Sequence, residues 1–191
     1  MNAARPNWEG CTVICIASGP SLTPEDCETA RQSGHPVIVA NTTFRACPWA
    51  DVLFAIDRKW WDEHHAEVKR IFTGRLMTIN QAPTRYGVET TYSAPWFKQY
   101  INSGACAVSL ALAGKAKKIV LLGYDCQKTN GMSHWHGDHP AGMSNAASIR
   151  QWPRQFQALA DDCEKAGVRI VNCSRATALT CFERGNLVAE I

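Results

Sequence analysis

Short, unbroken apolar runs alternate along the chain with longer stretches of mixed polarity. Cys11–Ala17, Pro36–Ala40, Asp51–Ile56, Arg75–Ile79, Ile119–Leu122 and Val168–Asn172 are dominated by Val, Ile, Leu and Cys. Runs of this length without polar alternation read as strands buried on both faces. A further short strand is expected around Thr90-Thr91-Tyr92, inside an otherwise irregular excursion from Asn80 to Phe97. Between the runs lie helical signals. Thr23-Pro24-Glu25-Asp26 supplies an N-cap, a Pro at the first helical position and acids in the first turn. Arg58 to Phe72 carries Trp60, Trp61, Val68 and Ile71, with His64 and His65 expected on its solvated face. Asn102-Ser103-Gly104 opens a small-residue helix from Ala105 to Gly114, with Ser103 as the expected N-cap. A long helix is expected over roughly Ala146 to Ala166, with Trp152, Phe156, Leu159 and Cys163 on one stripe and Gly167 as its stop. The tail from Ala176 to Phe182 reads as a short helix.

Strands alternating with helices imply an α/β fold: Rossmann-like, a mostly parallel sheet with helices on both faces, in a single domain over residues 1–191. Composition changes this little. The 46% hydrophobic and 19% charged residues are ordinary for a globular chain. A net charge of +3, with no basic cluster beyond Lys115-Ala-Lys117-Lys118, does not call for a polyanionic partner. Nine cysteines, an odd number without a CxxC pair, fall largely in apolar runs. They read as reduced thiols, which with the polar Met1–Gly10 segment gives an expected cytoplasmic location. No apolar run approaches the ~20 residues of a membrane span.

The chemistry is expected where strands run into loops. Ile119–Leu122 breaks at Gly123 and releases a loop, 123–145, holding Asp125, His134, His136 and His139. At the carboxyl edge of an open α/β sheet such a loop is where ligands bind. The first strand ends in Ser18-Gly19-Pro20-Ser21-Leu22 before a helix N-terminus, a turn able to aim backbone N–H groups at a phosphate. It also fits a plain strand-to-helix connection. Asn41 closes the second strand with a side chain suited to a base or ribose edge. Asp57 closes the third, and Ser103 marks a second helix N-terminus at the same edge. His134-Trp-His136-Gly-Asp138-His139 also fits H-x-H-x-D-H, the metal-binding signature of metallo-β-lactamase-type hydrolases. No histidine follows His139, so the further ligands of that fold are missing. If a metal binds, these four residues would hold it.

Four motifs in order carry a broader resemblance. Ile14–Leu22 resembles the G-x-G-P-S-L turn of the small bacterial sialyltransferases of glycosyltransferase family 42, shared with motility-accessory glycosyltransferases and archaeal-type hydroxymethylpterin pyrophosphokinases. Asn41 matches an Asn that contacts the nucleotide there. Asn102-Ser103-Gly104 resembles the family's T-S-G, and Ile119–Asp125 with the histidine loop resembles its I-Y-L-x-G-I-D and catalytic-histidine segment. The chain is also similar to small prophage-encoded proteins with the same G-Y-D…W-H-G-D-H-P layout. The chain departs from the family in three places: Ser18 replaces an Asn, Tyr100 an Arg, and Cys126-Gln127-Lys128 stands where tyrosines contact the phosphate.

The resemblance implies a nucleotide-dependent glycosyltransferase that moves a sugar from a nucleoside-phosphate donor (CMP-sugar-like) to an acceptor hydroxyl. Ser18, Gly19, Pro20, Ser21, Asn102, Ser103, Gly104 and Gly123 would hold phosphate and ribose, and Asn41 the base or ribose. His139, or else His134, would be the general base. Lys128 or Arg154 would take the leaving phosphate's charge. Asp125 would orient a histidine or end the strand. No cofactor is required on this reading. Mg²⁺ would enter through Asp57 and Asp125 if the chain were a pyrophosphokinase acting on a pterin-like alcohol. A non-catalytic nucleotide-binding protein is the third reading. The acceptor (glycan, small molecule or modified nucleic acid) and a homo-oligomeric state stay open.

Overall fold

One eight-stranded sheet, every pairing parallel, has the order β5-β4-β3-β2-β1-β6-β7-β8 in the computed structural model. The structure describes residues 1–81, 85–137 and 149–191. The strands are β1 (Thr12–Ile16), β2 (Val37–Ala40), β3 (Val52–Phe54), β4 (Arg75–Thr78), β5 (Glu89–Thr90), β6 (Lys118–Leu122), β7 (Arg169–Asn172) and β8 (Glu183–Arg184). The chain builds outward from β1 to β5, then returns to the other side of β1 to lay down β6. The order therefore reverses between β1 and β6, which opens a crevice at their carboxyl ends.

Five helices cover the sheet among the described residues: α1 (Pro24–Gln32), α2 (Arg58–Ile71), α3 (Ser103–Ala113), α4 (Trp152–Lys165) and α5 (Leu187–Glu190). Successive residues of the central strands point to opposite faces. Val13, Cys15, Ile119 and Leu121 pack with α3 and with Phe156 and Leu159 of α4. Ile14, Ile16, Val120 and Leu122 pack with Cys27 of α1 and with Trp60, Trp61 and Val68 of α2. This two-sided burial is why these strands read as unbroken apolar runs. α3 is buried along nearly its whole length, its small residues letting it lie close against β1, β2 and β3. None of the described helices is long and apolar enough to cross a membrane.

Four sequence expectations are corrected. His64 is buried, 4% exposed, not solvated: its ring lies 4.9 Å from that of Trp60, one turn earlier, and 6.4 Å from that of Phe44. Asn102, not Ser103, caps α3, its side chain accepting from the Ala105 N–H. Within the expected long helix, Ile149–Gln151 form a 3-10 turn and α4 proper runs from Trp152, while residues 146–148 lie outside the described residues. No helix forms over 176–182. There the Ala178 N–H donates to the Asp125 carbonyl (2.7 Å) and the Thr177 hydroxyl to the Tyr124 carbonyl (2.7 Å). The tail's polar groups are spent on tying it to the end of β6, and it then adds β8 at the sheet edge.

Candidate functional site

Two glycines hold the crevice together. The Gly19 N–H donates to the Gly123 carbonyl at 2.8 Å, bringing the turns after β1 and β6 into direct contact. A Cβ on Gly19 would stand 2.2 Å from Asp125 Oδ1 and 2.4 Å from the Gly123 oxygen. Gly123 has φ +67°, and a Cβ there would lie 2.3 Å from the Ala17 oxygen. Only glycine fits either place.

Asp125 sits behind this contact and does not line the crevice. It is fully buried, and its carboxylate accepts from the Ser21 N–H (2.8 Å), the Ser21 hydroxyl (2.7 Å) and the Thr129 hydroxyl (3.3 Å). Burial raises its pKa above the ordinary carboxylate value, and the bonds from Ser21 oppose that rise. Asp125 and Ser21 thus clamp the two turns, and Pro20 stands with them off the lining.

Around the clamp opens a cavity of about 540 Å³. Ser18 and Gly19 line it from β1, Asn41 from β2, Asp57 from β3 and Gly123 from β6. Asn102, Ser103 and Gly104 line it from the N-terminus of α3, and Ser133 and His134 from the histidine loop. Tyr124, Trp152 and Phe156 add an aromatic wall. The first turn of α3 spans the opening. The Ser103 hydroxyl accepts from the Ile56 N–H (3.1 Å) at the β3 end, while the Tyr124 hydroxyl donates to the Gly104 carbonyl (3.0 Å) at the β6 end. With the Asn102 side chain spent on the Ala105 N–H, the N–H groups of Ser103 and Gly104 are left by helix geometry without intrahelical acceptors. The positive end of the helix dipole and these donors face the same space.

Asn41 has φ 51°, in the left-handed region that Asn tolerates better than most residues. Its Oδ1 is buried with no hydrogen-bond partner among the described residues. A strained backbone carrying an unsatisfied buried acceptor is a feature of binding sites. Ser133, only 7% exposed, lines the same cavity.

His134 is 8% exposed and lies on the cavity, under a loop fixed by the Trp135 N–H, which donates to the Ser18 carbonyl (3.1 Å). The His136 ring stacks on it at 5.2 Å and 3°, and is not on the lining. His139 and Asp138 lie outside the described residues, so the H-x-H-x-D-H set is described only in its first half. Among the described residues no group of three His, Cys, Asp or Glu side chains is gathered as a metal ion would need. Cys126, also on the lining, is held as the neutral thiol, because burial and then the Asp125 charge push its pKa well up. His134 supplies the imidazole of the described lining.

The expected cations are corrected. Lys128 and Arg154 are exposed and neither lines the cavity; Arg58 and Lys59, at the start of α2, do. In the sequence those two read as ordinary helix surface, and nothing in the local pattern distinguishes them. Ser133 and the aromatic wall also escape sequence reasoning, the latter because Trp152 and Phe156 read as a core stripe. Compared with models of known protein families and with curated proteins, the chain finds no match.

Proposed function

We propose that the protein is a nucleotide-dependent transferase that moves a sugar from a nucleoside-phosphate donor to an acceptor hydroxyl. The observation that carries this reading is the meeting of the α3 N-terminus, Asn41 and His134 on one cavity at the β1/β6 reversal. The sugar-bearing phosphate faces the N–H groups of Ser103 and Gly104. Asn41 Oδ1 accepts from a ribose hydroxyl or base amino group. The sugar lies toward Ser133 and His134. There the acceptor oxygen bonds to the anomeric carbon as its proton passes to a His134 nitrogen, and the carbon–oxygen bond to phosphate breaks with its electron pair left on the phosphate.

Asp57 on the lining favours one second reading, Mg²⁺-dependent pyrophosphoryl transfer, because a single carboxylate with substrate phosphates suffices to hold Mg²⁺. One experiment separates the two. CMP-, UDP- and GDP-sugars are incubated with the protein, with and without excess chelator, and released nucleotide is measured. Sugar-nucleotide cleavage that persists in chelator is expected. Absence of cleavage, with pyrophosphate transfer from ATP that chelator stops, would establish the second reading.

A further inference from the structure

We propose that the nucleotide taken by this cavity carries two phosphates, the second held by Arg58 and Lys59; this rests on the nucleotide reading above. Eight described arginines are already engaged. Arg31, Arg45, Arg75, Arg85, Arg169 and Arg175 pair with carboxylates, and Arg5 and Arg184 donate to carbonyl oxygens. Arg58 and Lys59 are exposed and, like Arg70 and Arg154, make no ion pair or hydrogen bond among the described residues, but unlike those two they line the cavity. Their charges outnumber that of Asp57, the one carboxylate on the described lining. A cation pair kept free at a cavity is matched to an anion that arrives with the ligand.

The spacing fits adjacent phosphates on one ligand. The Ser103 hydroxyl touches the Ile56 N–H at 3.1 Å, so the first turn of α3 is fixed beside the end of β3. Arg58 is two residues further on, at most roughly 7 Å of chain. A phosphate on the Ser103 and Gly104 N–H groups therefore has its neighbour within reach of a long cationic side chain. The sugar-bearing phosphate sits on α3, toward Ser133 and His134, and the nucleoside-side phosphate sits on Arg58 and Lys59. The donor class is thus a nucleoside diphosphate sugar, which differs from the monophosphate donor that the sequence resemblance implies.

The test is calorimetric titration of the full chain with AMP, CMP, GMP and UMP and with the four corresponding diphosphates. For the preferred base, the diphosphate is expected to bind about tenfold to a hundredfold tighter than the monophosphate, the range of one or two charge-assisted hydrogen bonds. In Arg58→Gln/Lys59→Gln this ratio should fall to about one or two, while Lys128→Gln, off the lining, should leave it unchanged. A wild-type ratio near one, or a ratio that survives in the double variant, overturns the inference and leaves the nucleotide reading standing. Failure of every nucleotide to bind removes both.

Discussion

Replacing His134 with alanine is expected to lower donor turnover by about 10²–10⁴-fold, the usual range for loss of a positioned general base. The affinity for free nucleotide should change little, because the lost contact is to the acceptor and not to the phosphates. His134 stands on the cavity beside Ser133, whereas His136 stacks on it from off the lining, so His136→Ala should cost far less. His139→Ala is the informative companion. If that variant loses all turnover while His134→Ala retains most of it, the base belongs to residue 139. Pre-steady-state release of nucleotide, measured beside a binding titration, reads both quantities on the same samples.

The second large effect is structural. Gly19→Ala should destabilise the fold by about 3 kcal/mol, combining overpacking with disturbance of the charge-assisted bonds from Ser21 to Asp125. The new methyl would meet Asp125 Oδ1 at 2.2 Å and the Gly123 oxygen at 2.4 Å. These belong to a buried clamp and the backbone, neither free to swing aside. At about 2–4 °C per kcal/mol for a chain of this size, the melting temperature should fall by about 6–12 °C. Gly34→Ala is the control: Gly34 has φ +69°, but a methyl added there would meet nothing within 4 Å, so only the conformational cost of about 1–2 kcal/mol applies. A Gly19→Ala variant no less stable than Gly34→Ala would contradict the interlocked turns.

The architecture is legible in the sequence because both faces of the sheet are covered. Strands β1, β2 and β6 are buried on both sides and announce themselves as continuous apolar runs. β8 is not legible: two exposed charged residues, Glu183 and Arg184, form it only because β7 offers an edge. At the site, the residues with strong local signals stand out. Asn41 follows β2, Ser103 opens α3 and His134 stands in the histidine-rich loop after β6, and all three reach the cavity. What sequence does not convey is direction. Ser21 and Asp125 belong to the same motifs as Gly19 and Gly123, yet they turn onto each other behind the crevice. His64 reads as polar helix surface until the 3-10 turn at Asn41–Arg45 brings Phe44 over it. Arg58 and Lys59 gain meaning only from the cavity beside them.

The most direct test of nucleotide binding at this cavity is the melting temperature of the wild type and Asn41→Ala with each of the four nucleoside monophosphates and diphosphates. Each is tested up to millimolar concentration, with and without Mg²⁺. A ligand that binds only the folded state adds about 2.7 kcal/mol at a hundred times its dissociation constant. The expected result is a rise of about 5–11 °C for one base series, reduced in Asn41→Ala. No shift with any nucleotide under any of these conditions would contradict it.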